Sequence, residues 1–410
     1  MINNIKDLKG WFIDKIPNLL FFQEGPGVRN NQYTNSGVKL LNVANLQNGC
    51  VVLENTERYI SEDEAYGKYK HFLVDEGDLI IASSGIKVEY FDKKIGFVKK
   101  EHLPLCMNTS TIRFKTLDKE KLNLEYFSYF LKTNYFKKQI ARLITGSAQL
   151  NFGPSHLKQI DVIVPPIDIQ VKIVNILNKS KELIDKRKEQ IESLDELVKS
   201  KFIEMFGNPA TNPKGWEMTT IGDISTDVRY GTSKPAVDGG KYPYLRMNNI
   251  TYSGYLDLDN LKYIDIEDSE LEKYVVRKGD VLFNRTNSAE LIGKTCVFDL
   301  EEPMIIAGYI IRVRLIKGVL PIYLSLFLNS DYGKGLLKGM AKGAVNQANI
   351  NAQELKSIKI AIPPIELQNQ YADFAKQVDE IKLKMEKSLK ELEDNFNSLM
   401  QRAFKGELFQ

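Results

Sequence analysis

The chain is poor in the residues that build redox and metal sites, with three cysteines, three histidines and two tryptophans among 410 residues. Cys50, Cys106 and Cys296 are scattered with no C-x-x-C spacing, and His71, His102 and His156 with no H-x-x-x-H spacing. Neither a disulfide framework nor a zinc site is expected. No apolar run approaches the roughly 18 residues that span a bilayer, and Met1 to Trp11 carries charges where a signal peptide needs an apolar centre. These absences point to a cytoplasmic chain with no membrane partner. An excess of one charge is missing too: 56 Lys and Arg against 53 Asp and Glu leave +3, which neither demands nor excludes nucleic acid.

Catalytic machinery is equally scarce. A self-contained DNA amino-methyltransferase needs a Gly-rich turn after a strand and an Asn/Asp-Pro-Pro-aromatic segment. The stretch VPPI from Val164 to Ile167 has the prolines without the amide or the aromatic, and Asn208-Pro209-Ala210 stops one proline short. There is no G-x-x-x-x-G-K-[ST] and no G-x-S-x-G, and Gly25-Pro26-Gly27 is too little for a nucleotide loop. The carboxylate runs Glu62 to Glu64 and Asp265, Glu267, Asp268 read as solvated turns or helix starts. Catalysis, if any, is expected on another chain.

What the sequence does contain is duplication. Ile160 to Gln170 (IDVIVPPIDIQ) returns as Ile358 to Gln368 (IKIAIPPIELQ). Each copy reads as a β-branched strand, a Pro-Pro step that cannot continue a ladder, an acidic residue, and a long helical pattern. Pro166 and Pro364 suit the first helical position, and Asp168 and Glu366 lie where the helix dipole favours negative charge. Upstream the order repeats as well. Gly10-Trp11 matches Gly215-Trp216, EGDLIIA (Glu76 to Ala82) matches KGDVLFN (Lys278 to Asn284), and YFSYFL (Tyr126 to Leu131) matches YLSLFL (Tyr323 to Leu328). Leu41 and Asn45 correspond to Leu245 and Asn249, and the polar loop GSAQLN (Gly146 to Asn151) to GAVNQAN (Gly343 to Asn349). Strands are expected at Val38 to Val43, Asp78 to Ala82, Cys106 to Phe114 and Tyr244 to Ile250, and one or two helices from Asn123 to Ile144. With 43% hydrophobic and 27% charged residues, a chain of this length has room for two or three cores.

Two long helices are expected, from about Ile167 to Phe206, where Gly207-Asn208-Pro209 stops the first, and from about Ile365 to Phe404. Ile173, Leu177, Ile184, Ile191, Leu194, Val198 and Met205 follow steps of three and four, with Ser180, Arg187 and Lys201 as polar interruptions, in the manner of a coiled-coil seam. Tyr371, Phe374, Val378, Ile381, Met385, Leu392 and Leu399 offer the partner seam. A lone amphipathic helix gains little in water, whereas burying each large side chain is worth roughly 1.5–3 kcal/mol at most. Antiparallel pairing of the two helices follows, each about 60 Å long at 1.5 Å per residue. The expected architecture is α+β: two homologous mixed α/β domains held apart by a coiled coil of two long antiparallel helices. Its segments are residues 1–166, 167–207, 208–364 and 365–410.

This paired recurrence resembles the specificity subunit of type I restriction-modification enzymes along the whole chain. The motifs that carry the resemblance are Gly77-Asp78 and Gly279-Asp280, the loops at Gly146 to Gln149 and Gly343 to Gln347, and the two Pro-Pro segments ending in Gln170 and Gln368. One departure is plain: Ile169 and Leu367 stand where the family usually has Glu. The resemblance implies that each half is a target-recognition domain reading one half of a split, asymmetric site on double-stranded DNA. It implies that the helix pair sets the gap between the half-sites and docks two methyltransferase subunits, which restriction/translocase subunits join. Those partners would bring S-adenosylmethionine, ATP and magnesium, with no cofactor and no catalytic role on this chain.

Candidate DNA contacts are loop residues that combine a cation or an amide with flexible neighbours: Arg29, Asn31, Gln32, Ser84, Lys87 and Gln149 in the first half. In the second they are Arg229, Thr232, Lys234, Arg246, Asn284, Arg285, Asn287 and Gln347. Arg can fork onto guanine and Asn or Gln onto adenine, whereas Lys and Ser mostly hold phosphate. Asn, Ser and Gly also make turns for their own sake. Arg285 is the strongest candidate, because Asn284 to Ser288 follows the Gly-Asp strand with no apolar residue to bury. The competing expectation is a scaffold protein that uses the helix pair to gather protein partners and never touches DNA.

Overall fold

The structure, a computed structural model, describes residues 8–54, 56–144, 150–287, 292–341 and 348–409. The chain forms two units, Met1–Lys188 with Ser388–Gln410, and Glu189–Lys387. The division passes through both long helices, Ile167–Phe206 and Ile365–Phe404, each of 40 residues. Each unit therefore contains one domain, the start of the helix that follows it and the end of the other helix.

In the first unit the β-branched, fully buried strand Leu79–Ala82 lies inside an antiparallel sheet, in the order Leu20–Glu24, Thr111–Thr116, Leu79–Ala82, Ile95–Phe97. A second sheet pairs Leu105–Met107 in parallel with Val38–Leu41, which Tyr59–Ile60 flanks. The second unit repeats this plan with Ser225–Tyr230, Ile310–Leu315, Val281–Asn284 and Thr295–Val297. There Tyr242–Leu245 runs parallel to Met304–Ile306. The expected strand Cys106 to Phe114 is in fact two strands in different sheets, separated by a turn in which Ser110 takes φ +67°. The strand expected from Tyr244 to Ile250 stops at Leu245. Asn249 accepts from Arg246 N at 2.9 Å and donates to Asp257 O at 2.8 Å, closing a 3-10 turn, and Asn45 does the same with Asn42 N and Val52 O.

The repeated motifs have structural causes. Gly77 and Gly279 take φ of +85° and +92°, where a side chain would be strained, and the following aspartates accept from the backbone N–H three residues back at 2.9 Å. The Pro-Pro strands pair antiparallel with the residues after each Gly-Trp, Asp161–Val164 with Phe12–Lys15 and Lys359–Ile362 with Glu217–Thr220. At each helix start the last residue of the motif is a fully buried amide. Gln170 accepts from Asn123 N at 2.8 Å and donates to Lys121 O and Pro165 O at 2.7 and 2.8 Å. Gln368 accepts from Leu320 N at 2.8 Å and donates to Gly318 O and Pro363 O at 3.2 and 2.8 Å. One side chain thus ties the long helix to the strand before it and to the N-terminus of a domain helix.

Replacing Gln170 by Leu keeps the volume but leaves a backbone donor and two carbonyls unpaired. We expect about 2 kcal/mol or more of lost local stability, seen as faster amide hydrogen exchange from Asn123 to Phe127. Unchanged protection there would contradict the pin.

Candidate nucleic-acid interface and helix seam

Within each unit the two helix segments run antiparallel. In the first, Lys188 Nζ meets Glu393 Oε1 at 3.0 Å; in the second, Lys382 meets Asp195, and Tyr371 Oη donates to Val198 O at 2.9 Å. Of the expected seam residues, Ile173, Leu177, Ile184, Tyr371 and Val378 are buried, while Ile191, Leu194, Val198, Phe374, Met385 and Leu392 are half-buried. Ile381 is a correction, since it is 43% exposed. The inward row through Tyr371, Val378 and Met385 runs instead by way of Ala375 and Lys382. The lysine stem covers apolar surface while its ammonium reaches Asp195.

Much of this burial serves the domains as well as the helix pair. Ile173 and Leu177 join the core of the first domain together with Phe404, the last residue of the other helix, which stacks on Tyr126 with centroids 5.0 Å apart. In the second unit Phe206, at the corresponding helix end, packs against Tyr323 and Tyr371 at 5.0 and 5.3 Å. Tyr126 and Tyr323 are themselves fixed by donating to Ile163 O and Ala361 O at 2.8 and 2.7 Å. Each Tyr-x-Ser motif is therefore a socket for the far end of a long helix.

The polar candidates separate once their partners are known. In the first domain Arg29 and Asn31 are exposed on a 3-10 turn, but Gln32 belongs to the turn itself. Its amide donates to Glu64 Oε1 and Tyr69 Oη at 2.9 and 3.0 Å and accepts from Arg29 N. Ser84 is half-buried in a short strand paired through Asn151, with exposed Lys87 just beyond. In the second domain Thr232 is buried, its hydroxyl accepting from Lys234 N, and Lys234 is paired with Glu270. Arg229 donates to Asp227 and Arg246 to Asn260 O. Burial acts to raise the Asp227 carboxyl, but Arg312 and Arg229 hold it below the usual carboxylate value. Asn284 is fully buried, and in the amide orientation that satisfies both ends it donates to Tyr309 O and Thr286 O at 3.2 and 3.1 Å. Gln32, Thr232 and Asn284 are thus structural residues, because a buried or internally satisfied group cannot present itself to a base. Gln149, Gln347 and the side chain of Asn287 lie outside the described residues.

Arg285 behaves differently. Its guanidinium lies 4.7 Å from the Tyr230 ring centroid, and among the described residues no acceptor meets it, although its Nε is buried. Tyr309, 55% exposed, gives its carbonyl to Arg285 N. In the first domain Glu24 stands without an ion pair or hydrogen bond to its carboxylate among the described residues, and burial raises its carboxyl above the usual value. Neither Glu24 nor Tyr309 has a signature that picks it out of a linear sequence. Strand register alone places Glu24 opposite Ile112 in the first domain and Tyr309 beside Arg285 in the second.

Among the described residues there is no helix long and apolar enough to cross a membrane and no cluster of three or more His, Cys, Asp or Glu able to hold a metal ion. The profile of the type I restriction modification DNA specificity domain matches residues 20–193 and again 213–394. The type I restriction enzyme EcoKI specificity subunit of Escherichia coli K12 is 24% identical over 425 aligned residues, covering 98% of this chain and 89% of that protein. A putative type I restriction enzyme MjaX specificity subunit of Methanocaldococcus jannaschii is 32% identical over 202 residues, 48% of this chain and 47% of that one. Among solved structures, a chain from work on assembly and conformational transition of the type I R-M system covers 98% of this chain and 99% of its own, with TM-score 0.63 and 17% identity.

Truncating Phe404 to Ala removes a buried ring and leaves a cavity between helix and socket, at an expected cost of about 3–5 kcal/mol. Hydrogen exchange should accelerate from Tyr126 to Phe130 and stay unchanged from Tyr323 to Leu328, with the reverse pattern for Phe206→Ala. Equal acceleration in both segments would contradict separate sockets.

Proposed function

The chain belongs to the type I restriction-modification DNA specificity family, and from that premise we propose that it is the non-catalytic subunit that chooses where a partner methyltransferase acts. Each domain reads one half of a two-part, asymmetric sequence on duplex DNA. The observation that carries this reading is the complete duplication of one domain plan within one chain, each copy with its own core. Two such readers on one duplex face must be phased to the helical turn of about 34–36 Å or a multiple of it. The paired helices are the element able to set that phase, and hence the length of the unread gap.

The same helices supply docking surface for two methyltransferase subunits. Leu183, Leu197 and Leu383, 50%, 46% and 66% exposed, are apolar groups on them that neither domain covers. Translocase-nuclease subunits join through that assembly, and S-adenosylmethionine, ATP and magnesium belong to the partners. The reaction takes place in the cytoplasm, where the DNA is. A scaffold that ignores DNA would use the helix pair equally well but leaves the matched recognition domains without a task.

Co-expression with the methyltransferase subunit in a strain free of adenine methylation should install methyladenine at one interrupted, asymmetric motif, detected by single-molecule sequencing. Methylation at one continuous motif, or at none, would overturn the proposal.

A further inference from the structure

The two domains share not only strand order but a hydrogen-bond framework at one end of the central sheet. Gly25 N donates to Thr111 O at 3.0 Å, and Gly231 N to Ile310 O at 3.1 Å. Ser83 N donates to Ser110 O at 2.8 Å, and Arg285 N to Tyr309 O at 2.9 Å. Phe152 N and Ile350 N close the set on Ser83 O and Arg285 O, both at 2.9 Å. The glycines are fixed by contact: a Cβ at Gly25 would fall 2.1 Å from Asn108 O, and one at Gly231 2.1 Å from Ile306 O. Register agrees, with Glu24 opposite Ile112 and Tyr230 opposite Ile311. Three positions thus correspond between the domains: Glu24 with Tyr230, Ser83 with Arg285, and Ser110 with Tyr309.

On this constant backbone the side chains change class. The second domain places an arginine, stacked on one exposed tyrosine and beside another. Its Tyr230 is held in turn by Ala352 N, which donates to the ring hydroxyl at 2.7 Å. Arg113, Arg229, Arg246, Arg312 and Arg314 all use guanidinium N–H groups on carbonyls or carboxylates inside their domains, whereas Arg285 among the described residues has no such partner. The first domain offers an acceptor instead, the unpaired carboxylate of half-buried Glu24, while Ser83 at the arginine's position is buried. The buried Arg285 Nε, left unmatched in this way, is costly in the free protein, and burial raises the Glu24 carboxyl above its usual value. A ligand with complementary groups relieves that cost.

We propose that this sheet end reads a base in each domain, with Arg285 taking the O6 and N7 acceptors of a guanine and Glu24 taking the exocyclic amino group of a cytosine. The arginine fork matches guanine in the major groove, and a carboxylate, which phosphates repel, is accommodated at a DNA surface opposite a donor such as cytosine N4. Tyr230 is a positioning residue that holds the fork by its ring face. The inference rests on the half-site reading above and adds the identity of one base in each half.

The test uses the complex of this chain with its methyltransferase subunits acting on a random-sequence plasmid library, with methyladenine read by single-molecule sequencing. Arg285→Gln, close in size, should lose discrimination at one guanine of one half-site by about tenfold or more and leave the other half-site intact. Glu24→Gln, which is isosteric, should relax one cytosine in the opposite half. Tyr230→Leu should weaken the same guanine preference as Arg285→Gln, and Tyr230→Phe should restore it. An unchanged motif at uniformly lower yield in Arg285→Gln would assign the guanidinium to phosphate and overturn the inference, as would relaxation at a base other than guanine. If the wild-type complex marks no two-part motif, the half-site reading itself fails. A two-part motif that survives both glutamine variants unaltered overturns only the base assignment.

Discussion

A buried glutamine amide at the start of each long helix is the constraint on which the rest depends. Gln170 and Gln368 are fully buried, and each binds three backbone groups, two from the loop that leads into a domain helix and one from the Pro-Pro step. The Pro-Pro step that precedes each amide cannot extend a β ladder, so the chain must turn into helix there. The amide then decides the direction of that helix relative to the domain it leaves. Without it, a strand and a 40-residue helix would be joined by two prolines and little else.

The far helix ends are held by aromatic packing, to which Trp216 Nε1 adds a hydrogen bond to Phe206 O at 2.9 Å. Phe404 and Phe206 enter aromatic sockets whose tyrosines are locked by their own hydroxyls. The first unit is therefore closed by a segment distant in sequence, Ser388–Gln410, whereas the second is continuous from Glu189 to Lys387. The seam between tolerates polar positions such as Lys382 because its apolar stem and paired ammonium satisfy both environments. A seam of this kind is less apolar than a core and leaves Leu183, Leu197 and Leu383 exposed.

The sheet ends that carry Arg285 and Glu24 follow a different rule. Within the core of the second domain charged groups are matched internally, Arg312 with Asp227 and Arg314 with Asp280. At the corresponding sheet end of each domain the backbone is matched, while among the described residues the Arg285 guanidinium and the Glu24 carboxylate have no hydrogen-bonding partner. A rigid frame with unmatched side chains can change its preference by substitution without disturbing the fold. That separation suits a protein whose task is to distinguish sequences.

Much of the fold was legible in the linear sequence, because its determinants are local or periodic. The Pro-Pro steps, the Gly-Asp turns and the heptad spacing each report a backbone requirement at a fixed offset, and their recurrence reports two copies of one domain. The helix limits Ile167–Phe206 and Ile365–Phe404 are those the periodicity implies. What tertiary structure decided is which polar side chains are already satisfied. Gln32, Thr232 and Asn284 look like Arg285 in a list of loop residues, yet Thr232 is buried, and the partners Glu64 of Gln32 and Tyr309 of Asn284 lie across turns and strands that composition does not connect. Glu24 and Tyr309 carry no motif at all and gain meaning only from strand register. Periodicity is a property of neighbours along the chain, whereas an unmatched hydrogen-bonding group is a property of everything folded around it.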